Sequence, residues 1–338
     1  MWRYLVGLGV LVAIFVVVFQ SQTATGYDDR PEVSLYVDQL VSEHSFDAEK
    51  LRNWFSEAER KQSILDAISR PAERALRWDE YRAIFLKEKR ILQGVEFWQQ
   101  NQEQLLAAEN IYGVPPEIVV AIIGVETRYG RNAGGYRVID ALMTLGFDYP
   151  PRADFFRNEL TEFLLLAREE GKNPLELKGS YAGAMGFGQF IPSSFRAYAV
   201  DFDEDGVRDI WANTDDAIGS VANYFHQHRW QGNSQTVVKV QLTDPADDKL
   251  ANELANKNLE PEYTTAELEA VGVDVSNLPV DVKGALFRMD LEEGSEYWVG
   301  LHDFYVITRY NHSRMYALAV YQLAEAIKEK QSSEGPAQ

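Results

Sequence analysis

The sequence predicts an α+β protein, predominantly helical, with a small strand-bearing region near its C-terminal side. Three observations lead there. Residues 31–104 are charged, lack glycine before Gly94 and place Val37, Leu40, Val41 and Leu51, Trp54, Phe55 at spacings of three and four, the period of amphipathic helices. Residues 116–130 form an apolar segment opened by proline and closed by glycine, the punctuation of one helix. Val238, Val240 and Leu242 then alternate with polar residues, the period of a strand.

The elements follow in order. Residues 1–20 carry Arg3 and then an unbroken apolar run over 5–19, followed by small polar residues up to Gly26. This is the pattern of an export signal. A cleaved signal and an uncleaved inner-membrane anchor both fit a run of this length, and either delivers the rest of the chain outside the cytoplasm. Residues 27–110 are expected to form a helical domain, with Pro71 separating two stretches and Trp78, Tyr81, Ile84, Phe85, Ile91, Leu92, Val95 and Trp98 on the second. A denser core is expected over 111–235 and a small domain with strands over 236–303. The strands or extended pieces are placed at 236–242, 285–291, 296–301 and 304–310. Thr264 and Glu267 form a capping-box pattern for a short helix. A C-terminal segment, 304–330, returns to the core through a closing helix that starts near Ser313, and 331–338 reads as a frayed, disordered tail.

The 338-residue chain carries 33 Lys and Arg against 52 Asp and Glu, a formal charge of −19. Such a balance argues against a nucleic acid as the main partner, because few cations are available to displace phosphate counterions. With no cysteine, thiol catalysis, Cys-zinc sites, iron–sulfur clusters and disulfides are excluded.

Three segments carry chemistry. In the first, residues 118–125 are all apolar or glycine, so the helix is buried on every side and Glu126 is a carboxyl at its C-terminal end. Desolvation and the negative end of the helix dipole both favour the protonated form. Such an acid can protonate a leaving-group oxygen. A structural Glu126 paired with Arg128, Arg131 or Arg137 is the alternative. The second segment, residues 179–195, is glycine-rich and holds no Lys or Arg. It lacks the phosphate-loop pattern and suits a neutral polyhydroxylated ligand. Ser180 and Gln189 can bond hydroxyls there, and Tyr181, Phe187 and Phe190 can offer ring faces; a tight turn packed in the core is the alternative. The third segment is Asp201-Phe202-Asp203-Glu204-Asp205-Gly206-Val207, which opens like a calcium loop, with oxygen ligands at positions one, three and five, glycine at six and a backbone carbonyl at seven. Position twelve is Ala212 instead of a bidentate Glu, so Asp215 or Asp216 would have to close the site. A solvated acidic turn is the alternative. No His-rich ligand set for a catalytic metal is present.

Taken in order, Gly124-Val125-Glu126-Thr127-Arg128-Tyr129-Gly130, the stretch 181–194 (from Tyr181-Ala182-Gly183 to Ile191-Pro192-Ser193-Ser194), the loop 201–211, the helix 216–225 and Phe304-Tyr305-Val306-Ile307-Thr308-Arg309-Tyr310-Asn311 are similar to the family 3 lytic transglycosylases, the MltB type. The resemblance spans about residues 33–327. It implies a lysozyme-like catalytic core flanked by a helical domain and a small strand-containing domain. It implies cleavage of the β-1,4 bond between N-acetylmuramic acid and N-acetylglucosamine in peptidoglycan, leaving a 1,6-anhydro-muramoyl end. Glu126 falls where the family keeps its single acid/base. Arg152, Ser180, Tyr181, Gln189, Phe190, Tyr224, Tyr305 and Tyr310 fall in segments lining the glycan groove. Asp201, Asp203, Asp205, the Val207 carbonyl and Asp216 fall at a structural calcium site within the EF-hand-like loop 201–216. Peptidoglycan strands are the implied partner, other cell-wall enzymes are candidate partners, and the periplasm is the implied location. Familiar members are tethered through a lipid-bearing cysteine that this chain lacks, which leaves a soluble enzyme or one held by residues 5–19. A goose-type muramidase and a non-catalytic wall-binding protein are the rival readings.

Overall fold

The computed structural model describes residues 27–70, 76–232, 235–244 and 248–334. The apolar N-terminal segment and Pro71 lie outside the described residues. Fifteen helices are described: α1 (Pro31–His44), α2 (Ala48–Glu57), α3 (Gln62–Ile68), α4 (Trp78–Phe85), α5 (Glu88–Gln100), α6 (Gln102–Tyr112), α7 (Pro116–Thr127), α8 (Val138–Asp148), α9 (Ala153–Glu169), α10 (Pro192–Tyr198), α11 (Thr214–Gln227), α12 (Lys249–Leu254), α13 (Thr265–Ala270), α14 (His302–Tyr310) and α15 (Arg314–Glu334). Six strands accompany them: β1 (Tyr136–Arg137), β2 (Lys178–Gly179), β3 (Val237–Val240), β4 (Tyr263–Thr264), β5 (Lys283–Asp290) and β6 (Ser295–Gly300).

Three apolar clusters organise these elements. In the first, α7 is the central rod: Ile118, Val119, Val120, Ile122 and Ile123 are each at most 4% exposed, among residues of α4–α6, α11, α14 and α15. Burying such a side chain stabilises the fold by roughly 1.5–3 kcal/mol relative to leaving it in water. The second cluster joins α1–α3 to α8–α10 through Leu40, Leu51, Phe55, Ile64, Leu142, Leu160 and Phe163. The N-terminal helices therefore divide, α1–α3 packing on one core and α4–α6 on the other.

The third cluster belongs to a four-stranded antiparallel sheet of order β3-β6-β5-β4. Side chains alternate across a strand. Ala285, Phe287 and Met289 of β5 accordingly face the first cluster. Leu286, with Val299 of β6 and Val240 of β3, faces the third, beneath α12 and α13. The capping box expected at Thr264 is present: its hydroxyl accepts the Glu267 N–H and the Glu267 side chain accepts the Thr264 N–H.

Two sequence expectations change. Residues 304–310 form α14 and not an extended piece. Tyr305, Val306, Ile307 and Thr308 have strand composition, but Phe304 and Ile307, three apart, are both fully buried in the first cluster, and Asp303, also buried, accepts the Gln231 N–H at 2.9 Å. Packing against α15 overrides propensity. The closing helix also runs to Glu334, so residues 331–334 are helical. Gln99 of α5 reaches Gln331, and the Ser332 hydroxyl bonds the Lys328 carbonyl one turn back. Residues 335–338 lie outside the described residues.

Asp140 of α8 ties the second cluster to the chain between α2 and α3. Its carboxylate takes Arg137 through two bonds, at 2.8 and 2.9 Å, and the Glu59 N–H at 2.9 Å. Only 2% of Asp140 is exposed. Asp140→Ala leaves the Glu59 amide without its acceptor and the guanidinium with the Glu57 carbonyl, and is expected to lower unfolding free energy by about 3 kcal/mol, read in a urea titration.

Candidate active site

The site is built where α7 ends. Every residue of α7 from Pro116 to Gly124 is buried, and Glu126 stands half-buried in its last turn. Arg128 stops the helix in the left-handed region (φ 52°, ψ 50°) and returns its N–H to the Gly124 carbonyl at 3.2 Å. The chain then turns beneath itself. The Tyr129 hydroxyl reaches the Arg90 carbonyl of α5 at 2.9 Å, and its ring covers Gly124, where a Cβ would lie 2.6 Å from the phenol oxygen. Gly130 (φ +79°) faces the Phe187 ring so closely that a Cβ would stand 2.2 Å from it.

This turn is joined to the glycine-rich loop. Thr127 donates its hydroxyl to the Phe187 carbonyl at 2.9 Å and accepts the Gly130 N–H at 3.0 Å. Ser180 accepts the Ala182 and Ala184 amides on its hydroxyl oxygen, at 3.3 and 3.0 Å. Gln189, held at φ 51°, donates its side-chain amide to the carbonyls of Gly186 (3.0 Å) and Ala133 (3.2 Å), so its amide oxygen is turned from those carbonyls.

The end of the chain supplies the third wall. Tyr316, in the first turn of α15 and only 3% exposed, donates its hydroxyl to Glu126 Oε1 at 2.5 Å. Burial above all, and then the charge of Glu126, hold this phenol well above its ordinary range, so it remains a donor. Tyr310, at the end of α14, donates to the Gly188 carbonyl at 2.5 Å and is likewise pushed up, first by burial and then by Glu126. Sequence reasoning missed Tyr316. A tyrosine among the apolar positions of a closing helix is its one local signal, since a buried phenol needs a partner for its hydroxyl.

The other expected residues divide between wall and support. Tyr181 is 39% exposed. Arg152 is exposed and lies over the Phe155 ring, 4.3 Å from its centroid. Tyr305 is half-buried beside the loop that follows α12. Phe190 and Tyr224 are buried, at 3% and 7% exposure, and pack with Tyr310 at centroid separations of 5.9 and 4.7 Å. The Tyr224 hydroxyl is committed to the Arg309 carbonyl, so these two rings support the wall from behind. Two of the arginines weighed as partners of Glu126 bond elsewhere, Arg131 to Glu96 and Arg137 to Asp140.

In the acidic loop, Asp201, Asp203 and Asp205 offer oxygens within 4.8 Å of one another, and Gly206 takes the turn at φ +94°. Asp216 lies beneath, fully buried. Its two oxygens accept the N–H groups of Phe202 (2.7 Å) and Asp209 (2.6 Å), and burial, more than its neighbours, pushes its carboxyl up. Asp215 is turned away to Gln104 of α6.

A sequence family described as the transglycosylase SLT domain matches residues 28–325. The chain belongs to this family. It is 43% identical over 316 residues to the membrane-bound lytic murein transglycosylase B of Escherichia coli strain K12, covering 90% of this chain and 85% of that protein. The solved structure of catenated lytic transglycosylase SltB1 from Pseudomonas aeruginosa is 54% identical, with a TM-score of 0.85, over 90% of this chain and 99% of that one. The structure of the Escherichia coli lytic transglycosylase Slt35 in complex with calcium is 41% identical, with a TM-score of 0.82, over 92% and 98%. The fold is the predominantly helical, lysozyme-like one of these transglycosylases, and the protein is a peptidoglycan-cleaving lytic transglycosylase.

Glu126 and Tyr316 meet inside this family's core, so Tyr316→Phe tests the contact. The variant is expected to lose roughly 10- to 100-fold in kcat with KM and melting temperature near wild type, measured as release of soluble muropeptides from sacculi.

Proposed function

We propose that Glu126 is the only acid and base of the reaction, which cleaves the β-1,4 bond between N-acetylmuramic acid and N-acetylglucosamine. The Tyr316 hydroxyl on Oε1 carries this reading: it orients the carboxyl that gives up the proton. Glu126 gives that proton to the glycosidic oxygen as the bond to the muramoyl anomeric carbon breaks. The carboxylate then takes the proton of the muramoyl 6-hydroxyl, whose oxygen closes on the same carbon. The acid is regenerated, no water is consumed, and the product is a 1,6-anhydro end. Hydrolysing enzymes use a second carboxylate to supply a nucleophile or activate water; here the nucleophile is part of the substrate and gains the large effective concentration of an intramolecular group.

The glycine-rich loop joined to the acid's turn, residues 179–195, holds no charged side chain. The Ser180 hydroxyl and the Gln189 amide oxygen are available to sugar hydroxyls, Tyr181 and Tyr305 to ring faces, and Arg152 to an anionic substituent. Phe190, Tyr224 and Tyr310 keep that wall rigid. Glu126→Gln preserves shape and removes the proton, so digestion of purified sacculi should fall at least a thousandfold, at the scale of general acid–base contributions of about 10²–10⁴. Near wild-type release of anhydro-muropeptides, read by mass spectrometry, would refute the assignment.

Calcium fits the acidic loop. Three clustered carboxylates and the Val207 carbonyl are hard oxygen donors of the kind this ion takes at 2.3–2.6 Å. Asp216 holds the loop from beneath and retains lone pairs to close the shell. The ion would neutralise the clustered charge and fix the loop that carries Ile210, whose carbonyl accepts the Phe187 N–H at 3.0 Å. Calcium at a hundredfold excess over its dissociation constant should then add about 2.7 kcal/mol of stability. Melting temperature should rise with calcium and fall with chelator, and Asp203→Asn should blunt the response.

Export through residues 1–26 accords with a substrate that lies outside the cytoplasm. Cleaved and anchored forms remain distinguished by whether the mature protein sediments with membranes.

A further inference from the structure

The acidic loop carries a cation of its own. Arg208 follows Val207 directly, on the loop whose aspartates at 201, 203 and 205 cluster. A guanidinium free beside those carboxylates would pair with them and repel a divalent ion. Its side chain is held on a different element.

Arg208 Nε donates to Glu170 Oε1 at 2.8 Å, Nη2 donates to the same oxygen, and the Arg208 N–H donates to Oε2 at 3.1 Å. Both oxygens of one carboxylate are thus engaged by one residue. The Glu170 side chain is only 7% exposed, so removing either charge leaves the other without its partner in a poorly solvated place. Glu170 closes the C-terminal end of α9, where the helix dipole is negative and also favours a cation. Glu169 stands 3.5 Å from Nη2 and is fixed in turn by Arg196 of α10, at 2.7 and 3.1 Å. The Phe195 ring lies beneath the guanidinium, its centroid 5.0 Å away. Among the described residues the ion pairs of Arg208 are with Glu169 and Glu170, and none is with the three clustered aspartates.

The next position is fixed to the same region. Asp209 accepts Lys172 Nζ at 3.3 Å and the N–H groups of Trp211 and Ala212 at 2.9 and 3.0 Å. The second half of the loop is therefore tied to the end of α9, and the aspartates of the first half keep their charge unopposed by Arg208.

We infer that Glu170 sets the calcium affinity of the loop from outside it, by neutralising Arg208 and holding its guanidinium on α9. The inference rests on calcium being the ion of this loop. Glu170 is an affinity-determining residue and not a ligand.

The test titrates calcium into chelator-treated full-length protein and reads the dissociation constant by calorimetry. Four proteins form a ladder of charge at one pair. Wild type and the double variant Glu170→Gln/Arg208→Gln carry a neutral pair, Glu170→Gln leaves a positive charge and Arg208→Gln a negative one. Glu170→Gln should weaken calcium binding roughly tenfold. Arg208→Gln should bind at least as tightly as wild type, and the double variant should return to within about threefold of it. Because the cause is a charge, the spread should narrow as salt rises from about 0.01 to about 1 M; a distorted loop would keep its loss at every salt concentration. Glu170→Gln binding as wild type does, a loss that the second substitution fails to recover, or a spread that ignores salt would overturn the inference. Should Glu170→Gln fold poorly, Arg208→Gln decides alone, and weaker binding than wild type would contradict the proposal. Failure of the calcium reading itself gives a different result, no calcium heat from wild type or from any variant.

Discussion

One hydrogen bond holds the proposed catalytic arrangement together, that from the Tyr316 hydroxyl to Glu126 Oε1. The carboxyl sits in the last turn of a helix whose residues 118–125 are all apolar or glycine. The donor comes from the first turn of the closing helix, 190 residues away. Bringing the two together requires the small sheet to turn the chain back onto the core. β5 and β6 bury Phe287 and Trp298 against the same cluster as α7, and α14 follows β6 directly into position. The four-stranded sheet thus leads α14 and α15 onto the cluster that holds the helix of Glu126.

Rigidity around the acid comes from close backbone approach. Gly124 admits the Tyr129 ring and Gly130 admits Phe187, and each of those rings belongs to a segment the acid must be registered against. Tyr129 fixes α7 to α5 through Arg90, while Thr127 and Phe187 fix it to the glycine-rich loop. The acidic loop continues the series, because Ile210 at its end bonds Phe187. A cation bound in that loop would act on the same rigid unit.

How much of this the sequence carries depends on the range of the interaction. Pro116, Gly130 and the unbroken apolar run mark a buried helix ending in Glu126 because helix signals are local. The Thr264 cap and the Asp201–Asp203–Asp205 spacing are local too; the helix and the cap are present, and the three carboxylates cluster. The helix α14 was hidden because Tyr305, Val306, Ile307 and Thr308 satisfy strand composition, and only burial of Phe304 and Ile307 on one face decides for a helix. Tyr316 was hidden for a stronger reason: nothing near it in sequence shows that its hydroxyl meets Glu126. Phe190 and Tyr224 were legible as aromatic groups of the site region, yet which face they present depends on three rings from three segments meeting.

The central claim is that one carboxyl suffices because the substrate supplies its own nucleophile. The most direct measurement is digestion of peptidoglycan in water enriched in heavy oxygen, with the isotope content of the newly formed muramoyl ends read by mass spectrometry. Closure by the 6-hydroxyl predicts ends that carry no solvent oxygen at any stage of the reaction. Heavy oxygen at the anomeric carbon of the primary products would show that water is the nucleophile and would contradict the account.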